Sequence, residues 1–221
     1  MAVTEFAVIH LTSTPLSNSV RELLTSSTNV QDSWHAANFP TLPSSASDRA
    51  VAWFEQIEDP SQLMTTARWD SVAAHWQWIR SDGNIGVMTA LGVHIVSQDT
   101  VLFHVDADIF EEASSSGSIQ LLQSPVISVS RILVASENKG AFDAKFDEVK
   151  SVLEEYASPG LVRFGWREDL EAGAKEEFVL VCGWESVEKH LDFAGAPGFD
   201  QFQGIQQFIE TADIKHYKRF L

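Results

Sequence analysis

The chain has 221 residues, a formal net charge of −16 at pH 7, and 44% hydrophobic residues, among them 14 Phe and 7 Trp. Such a chain can bury a core, and it has room for one large domain or two small ones. The acidic charge argues against nucleic acid and anionic membranes as partners, because both attract surfaces rich in Lys and Arg.

Cysteine content and the N-terminal segment indicate the compartment. Cys182 is the single cysteine, which excludes an intrachain disulfide, and its apolar context "FVLVCGW" predicts a buried, unreactive thiol. The opening "MAVTEFAVIH" has no basic start, and no segment approaches the ~18 apolar residues of a membrane span. We therefore expect a cytoplasmic protein that does not associate with membranes.

The first half of the chain predicts the order strand, helix, strand, strand, helix, strand. Its first helix has a weak apolar stripe, which we expect to be broken near "TSSTN" (25–29). A turn at "DPSQ" (59–62) joins the second and third strands as a hairpin. The predicted strands cover 5–12, 50–58, 63–69 and 100–107.

The second half repeats this order, with strands predicted at 127–135, 161–167, 177–184 and 212–219. The segment "ARWDSVAAH" (67–75) matches "CGWESVEKH" (182–190), which pairs Trp69 with Trp184 and His75 with His190. Ser71 and Ser186 are placed to begin the second helix of each copy. A repeat of about 100 residues indicates a duplicated domain rather than a solenoid.

The order β-α-β-β-α-β is that of the ferredoxin-like fold, an α+β architecture. We predict one such unit over residues 1–110 and a second over 126–221. The linker between them, 111–125, has a Ser/Gly-rich middle that favours a flexible connection.

A strand that ends in Trp, followed by an acidic residue, Ser, and a His several residues into the next helix, resembles the dimeric α+β barrel superfamily. Trp69 to His75 and Trp184 to His190 are most similar to its ABM-type (antibiotic biosynthesis monooxygenase-type) domains, as two tandem copies over nearly the whole chain. The resemblance implies that the antiparallel sheets of the two units pack as an intramolecular barrel. It also implies a cofactor-independent monooxygenase, cyclase or isomerase of specialised, polyketide-like metabolism.

Residues present in only one copy are the better functional candidates, because a repeated motif can simply serve the repeated fold. His10 falls opposite Leu133, so a titratable ring replaces an aliphatic side chain on a short apolar strand. We predict His10 and His75 as general bases that act on an apolar organic molecule between the helices and sheet of the first unit. The predicted substrate-binding residues are Trp53, Trp69, Trp76, Trp78 and His104.

Structural roles remain open for the repeated residues, and other functions remain open for the chain. Arg131, opposite Val8, is expected to pair with a carboxylate. "HVDAD" (104–108) places three potential ligands on one strand face, but this spacing is common, and we predict no metal and no cofactor. The alternatives are a non-catalytic stress-associated or ligand-binding barrel, and a haem-binding barrel with His190 or His216 as ligand. Association into a homodimer is also left open.

Overall fold

The computed structural model describes residues 2–112 and 117–221, and it divides the chain into two compact units. Unit 1 comprises Met1–Asp108 with Arg219–Leu221, and unit 2 comprises Ile109–Lys218. Both units are antiparallel α+β structures, and each contributes four of the eight strands. The predicted flexible middle of the linker falls largely on 113–116, which lie outside the described residues.

Unit 1 has the predicted order of strands, and its second helical region consists of two helices. The four strands pair in the order β4-β1-β3-β2. Most side chains of β1 are buried, as expected for a central strand with cover on both faces. The elements are β1 (Val3–His10), α1 (Asn18–Asn38), β2 (Ala52–Gln56), β3 (Gln62–Trp69), α2 (Val72–Ile79), α3 (Asp82–Leu91) and β4 (Val101–Val105).

Helix α1 is continuous through "TSSTN", so the predicted break is wrong. The hydroxyl groups of Thr25, Ser27 and Thr28 donate hydrogen bonds to carbonyl oxygens three or four residues earlier in the same helix. These side chains therefore satisfy their polar groups without leaving helical geometry. Val20 and Leu24 still provide a buried stripe on the side that faces the sheet.

Serine side chains begin both helices of the second helical region. Ser71 accepts a hydrogen bond from the backbone N–H of Ala74, and Ser81 accepts one from that of Asn84. The cap at Ser71 was predicted, and it fixes the first turn of the helix that contains His75. The second cap at Ser81 divides what the sequence predicts as one helix.

Unit 2 follows the same order, and its second helical region consists of short α-helices that alternate with 3-10 turns. Its strands pair in the order β8-β5-β7-β6. The rings of Phe142, Phe146 and Phe178 meet in its core at centroid distances of 4.9–6.0 Å. The elements are β5 (Val126–Val134), α4 (Lys139–Ala157), β6 (Val162–Trp166), β7 (Glu176–Trp184), α5 (Val187–Leu191), α6 (Phe199–Phe202) and β8 (Ile209–Arg219).

Two expectations about single residues of unit 2 are confirmed. Arg131 pairs through Nε with the carboxylate of Glu177, which also accepts a hydrogen bond from Arg167 at 3.1 Å. Cys182 is buried, and burial raises the pKa of its thiol to about 12, which leaves it without thiolate character at neutral pH. No helix in the described ranges is long and apolar enough to cross a membrane.

Candidate functional site

A cavity of about 250 Å³ lies in unit 1 between the sheet and the helices α1, α2 and α3. Its wall is mainly apolar, with a few hydroxyl and amide side chains. Glu5 and His75 are the titratable residues in this wall. The remaining lining residues are Ala7, Ile9, Ser27, Thr28, Gln31, Val51, Trp53, Thr65, Ala67, Trp78, Ile79, Asn84, Val87, Met88, Leu91, Ile95, Thr100 and Leu102.

Glu5 presents a buried carboxyl group to this cavity from the central strand β1. Burial raises the pKa of Glu5 from 4.5 to about 7, because the charged form loses its hydration. A hydrogen bond from Trp69 Nε1 to Oε2, 2.6 Å long, and the charges of His104 and Arg49 act in the opposite direction. The other oxygen, Oε1, makes no hydrogen bond to any residue within 2–112 and 117–221.

His75 joins Glu5 to His104. Its Nε2 lies 3.3 Å from Glu5 Oε2, and its Nδ1 lies 2.7 Å from His104 Nε2. The ring also stacks on Trp69, with centroids 4.6 Å apart and planes 18° apart. His104 is the cross-strand partner of Glu5 in the β1–β4 pair, so the sheet register itself brings these side chains together.

The two ring nitrogens of His75 contact different groups. Nδ1 forms a hydrogen bond with His104 Nε2, and Nε2 lies within ion-pair distance of the Glu5 carboxylate. A proton that arrives at Glu5 is held at a buried carboxyl group beside His75. The arrangement can take a proton from a bound molecule and hold it away from water.

A buried cation lies close to Trp69. The guanidinium of Arg49 is 5.7 Å from the Trp69 ring, and Arg49 as a residue is 2% exposed. Its Nη2 pairs with the carboxylate of Asp32 and donates to Gln31 Oε1 at 3.3 Å. Arg49 does not reach the cavity wall, so its charge acts on Glu5 through space.

Unit 2 has the same aromatic and imidazole arrangement without the carboxylate. His190 stacks on Trp184 at 4.6 Å, and its Nδ1 lies 2.7 Å from His216 Nε2. Trp184 Nε1, however, donates to Ser128 Oγ at 2.9 Å. Ser128 is the residue that aligns with Glu5, so the carboxyl group distinguishes the two units.

The structure separates the predicted site residues into three groups. His75, Trp53 and Trp78 line the cavity. His104 and Trp69 are buried behind it, where His104 forms a hydrogen bond with His75 and Trp69 donates one to Glu5. These five residues therefore lie together around one cavity.

His10 and Trp76 lie away from this group. His10 Nδ1 is 3.3 Å from Asp99 Oδ2, and its side chain is 32% exposed because it ends β1 at the surface. Trp76 is 39% exposed, and the guanidinium of Arg80 lies 5.6 Å from its ring. Neither residue is part of the cavity wall, in contrast to the roles predicted from the sequence.

Glu5 is the residue that the sequence analysis missed. The signal was present, because the strand alignment that pairs His10 with Leu133 also pairs Glu5 with Ser128. A carboxyl group on the inner face of an apolar strand is costly unless it is partnered or functional. The criterion of single-copy residues, applied to acids as well as to His, would have found it.

Metal ligation has no support in the described ranges, where no group of three or more His, Cys, Asp or Glu is placed to hold an ion. Within "HVDAD", His104 is engaged with His75, and Asp108 Oδ2 lies 3.1 Å from Arg68 Nε. The side chains of this segment therefore serve the hydrogen-bond and ion-pair contacts of unit 1.

Comparison with known proteins gives a likeness of structure. No family model matches the chain, and no curated protein matches it by sequence. A proposed monooxygenase from Fusobacterium nucleatum matches with a TM-score of 0.63 and 10% identity, over 100% of this chain and 93% of its own. An anthrone oxidase-like protein matches with a TM-score of 0.62 and 9% identity, over 100% and 92%.

Chlorite dismutase from Candidatus Nitrospira defluvii also matches, with a TM-score of 0.58 and 12% identity, over 98% of this chain and 91% of its own. At such identities the likeness concerns the fold alone. The chain shares its fold with these neighbours.

Proposed function

We propose that the protein is a cofactor-independent enzyme that removes a proton from an apolar organic small molecule bound in the unit 1 cavity. The observation that supports this is Glu5, a buried carboxyl group with a pKa of about 7 in an apolar wall. A general base is most effective when its pKa lies near the working pH. Glu5 is the base, and His75 and His104 support it.

The surroundings of Glu5 suit this chemistry. Trp69 donates a hydrogen bond to Oε2 and His75 Nε2 lies 3.3 Å from the same oxygen, which leaves Oε1 to meet the substrate proton. The mainly apolar wall disfavours water beside the resulting enolate or phenolate, and Trp53 and Trp78 contribute aromatic rings to it. Positioning of the acidic C–H or O–H against Oε1 supplies the rest of the acceleration.

Proton removal begins each of the reaction classes expected from the sequence. In a monooxygenase, the substrate anion reduces O₂, a CH₂ group becomes C=O, and the second oxygen atom leaves as water. In a cyclase or isomerase, the same anion forms a new bond or regains its proton elsewhere, with no net oxidation. The names of the fold neighbours, which include proposed monooxygenases and an anthrone oxidase-like protein, favour the first class.

Deuterium exchange into 2-tetralone, a neutral two-ring ketone with an acidic CH₂ group, tests the proposal without knowledge of the natural substrate. In D₂O, NMR should show exchange faster than in buffer, with a rate that rises with pH through about 7 as Glu5 loses its proton. Glu5→Gln should lower the catalysed rate by about 10²- to 10⁴-fold, the usual contribution of a general base. His75→Gln should also lower the rate.

Two further variants make the assignment specific. His190→Gln changes the equivalent imidazole of unit 2 and should leave the rate unchanged, in contrast to His75→Gln. His10→Ala tests the base predicted from the sequence and should have no effect, because His10 does not reach the cavity. Full exchange in Glu5→Gln, or its loss in His10→Ala alone, would show that Glu5 is not the base.

Haem binding is the second candidate, because the fold neighbours include chlorite dismutases and the sequence leaves His190 or His216 as a ligand. The residues present do not fit it. His190 Nδ1 and His216 Nε2 form a hydrogen bond of 2.7 Å, and the His190 ring stacks on Trp184. Haem titrated into the protein should give no stoichiometric Soret band, and a saturable band that His190→Gln abolishes would reverse this conclusion.

The remaining alternative is a non-catalytic barrel that binds a ligand. The cavity of unit 1 is compatible with such a role, and the exchange assay separates the two functions. A protein that binds 2-tetralone tightly but exchanges none of its protons faster than buffer is a carrier rather than an enzyme.

We also propose the tandem ABM-like organisation that the sequence predicts, with ferredoxin-like units at 1–110 and 126–221 whose sheets pack as an intramolecular barrel. The repeated Trp–His–His arrangement of the two units supports it. A crystal structure with the two sheets apart would contradict it.

A further inference from the structure

The charge of the cavity wall restricts the ligand. Glu5 and His75 are its titratable groups, and no Lys or Arg is among the residues that line it. A carboxylate or phosphate on the ligand would meet Glu5 without a fixed positive charge to compensate, at a high cost in an apolar site. A permanent cation would lose its hydration on entering the cavity. In return it would meet a single carboxylate, that of Glu5, whose Oε2 already accepts a hydrogen bond from Trp69. The wall therefore favours an uncharged molecule.

The volume of the cavity restricts the size of the ligand. A dry apolar cavity of roughly 150 Å³ holds a single benzene ring. The unit 1 cavity, at about 250 Å³, therefore has room for about two fused rings. Trp53 and Trp78 in its wall favour a flat molecule over a branched one of the same volume.

Thr100 provides a second polar point. It lines the cavity one residue before β4, and its buried Oγ1 has no hydrogen-bond partner among the described residues. A buried hydroxyl group without a partner in the protein calls for a water or a ligand. To meet a ligand, the hydroxyl would have to turn toward the cavity by rotation about χ1, which needs no change in the backbone.

The two polar points lie at opposite ends of the sheet wall. Glu5 pairs with His104, and Val8 pairs with Val101, so the register places Thr100 four residues further along β4 than His104. At about 3.4 Å per residue this separation is about 14 Å. The side chains and a hydrogen bond of about 2.8 Å at each end take up part of this backbone separation, and the opposite hydroxyl groups of a naphthalene, about 8 Å apart, fit within it.

Both polar points belong to unit 1 alone. In the alignment of the two halves, Glu5 stands opposite Ser128 and Thr100 stands opposite Ala212. Both ends of the cavity thus differ from the aligned positions of unit 2. This pattern is expected if the two positions bind one ligand, rather than serve the repeated fold.

We infer that the cavity binds an uncharged, flat molecule of about two fused rings, with a weakly acidic group at Glu5 and a second polar group that hydrogen-bonds Thr100. This inference rests on the proposed function for the role of Glu5, and it adds the ligand's charge, its size and the residue that selects its far end. Thr100 is a specificity-determining residue that takes no part in proton removal.

Equilibrium binding of naphthalene probes tests the inference, by calorimetry at pH 6.5. We expect 2,6-dihydroxynaphthalene to bind roughly three- to tenfold more tightly than 2-naphthol, the gain of one additional hydrogen bond. In Thr100→Val, which replaces the hydroxyl by a methyl group of similar size, this preference should vanish. The charged probes 6-hydroxy-2-naphthoate and 2-naphthylmethylammonium, and the three-ring 2,6-dihydroxyanthracene, should bind at least tenfold more weakly than the diol.

Thr65→Val is the matched control. Thr65 also lines the cavity, but its hydroxyl already donates to the carbonyl oxygen of Ala52 at 3.1 Å. We expect this variant to change the affinities for the diol and for 2-naphthol by the same factor. A preference for the diol that persists in Thr100→Val, or is lost equally in Thr65→Val, overturns the role of Thr100.

The remaining outcomes are equally decisive. Binding of a charged probe as tightly as the diol overturns the neutrality of the ligand, and equal binding of the three-ring probe overturns its size. Failure of every probe to bind overturns the inference as a whole. Failure of the proposed function has a different signature, because the diol then binds with its Thr100 preference while 2-tetralone exchange stays at the rate in buffer.

Discussion

Glu5 connects the chemistry of the site to the stability of the fold. Its pKa rises from 4.5 to about 7 on folding, so the folded state holds the proton more tightly than the unfolded chain does. Below pH 4.5 the group is neutral in both states. As the pH rises through 7, folding must bury a charge, and at about 1.4 kcal/mol per pKa unit this costs on the order of 3 kcal/mol.

Glu5→Gln should therefore be more stable than the wild type at high pH. Relative to their difference at pH 4, we expect the variant to gain about 3 kcal/mol in the free energy of unfolding at pH 8, measured by urea denaturation. Ser128→Ala, at the aligned position of unit 2, has no titratable group and should shift stability equally at both pH values. If the free energies of unfolding of Glu5→Gln and the wild type change with pH by the same amount, Glu5 does not become a buried charge at high pH.

Trp69→Phe should raise the pH at which exchange sets in. The indole N–H stabilises the charged form of Glu5, so its loss raises the pKa of the carboxyl group above 7. Trp184→Phe removes the equivalent indole hydrogen bond of unit 2, which Trp184 donates to Ser128, and should leave the exchange profile unchanged. The measurement is the pH profile of 2-tetralone exchange, and a downward or absent shift in Trp69→Phe would contradict the role of the indole.

Single residues show where reasoning from sequence reached its limit. Three of the candidate residues, His75, Trp53 and Trp78, line one cavity, and their roles in it stay predictions. His10 drew attention because imidazole titrates near neutral pH, but the structure leaves it at the surface beside Asp99. The raised pKa of Glu5 depends on complete burial by residues distant in sequence, and no local pattern predicts it.

The strands and helices were predicted better than the positions at which a helix breaks or divides. All eight strands fall within three residues of their predicted ends, because alternating or continuous apolar runs are a local signal. Helix α1 is continuous because hydroxyl groups, such as those of Thr25 and Ser27, donate hydrogen bonds to carbonyl oxygens of the same helix. The same hydroxyl groups can also stabilise a turn, so the sequence does not decide between the two structures. Ser81 divides α2 from α3 by a cap of the kind that the sequence suggests at Ser71.

The caps at Ser71 and Ser186 provide a test at the scale of one element. Each accepts a hydrogen bond from a backbone N–H three residues later. We expect Ser71→Ala and Ser186→Ala each to lower the free energy of unfolding by about 1 kcal/mol in urea denaturation. Only Ser71→Ala should also slow 2-tetralone exchange, since it loosens the turn that positions His75. An equal effect of both variants on exchange would argue against this positioning.

At the scale of the whole molecule, the same Trp–His–His arrangement occurs in both units, although only unit 1 places it beside a carboxyl group. Trp69, His75 and His104 recur as a stacked and hydrogen-bonded group in unit 2, so their geometry belongs to the repeated fold. What distinguishes unit 1 is Glu5 in place of Ser128. Leu180 in unit 2 also stands where unit 1 has Thr65 in the cavity wall. A search for catalytic residues in a duplicated chain should therefore begin with the differences between its halves.

Ser128→Glu tests whether the carboxylate alone makes the site. The new side chain would meet Trp184 and lie near His190, as Glu5 meets Trp69 and His75. Unit 2 nevertheless packs Phe142, Phe146 and Phe178 tightly with Leu180 in one core, which leaves the carboxylate buried without a substrate to reach it. We expect a loss of several kcal/mol in the free energy of unfolding at pH 8 and an unchanged rate of exchange per chain. A doubled rate would mean that the carboxylate suffices, and that the cavity of unit 1 contributes little to catalysis.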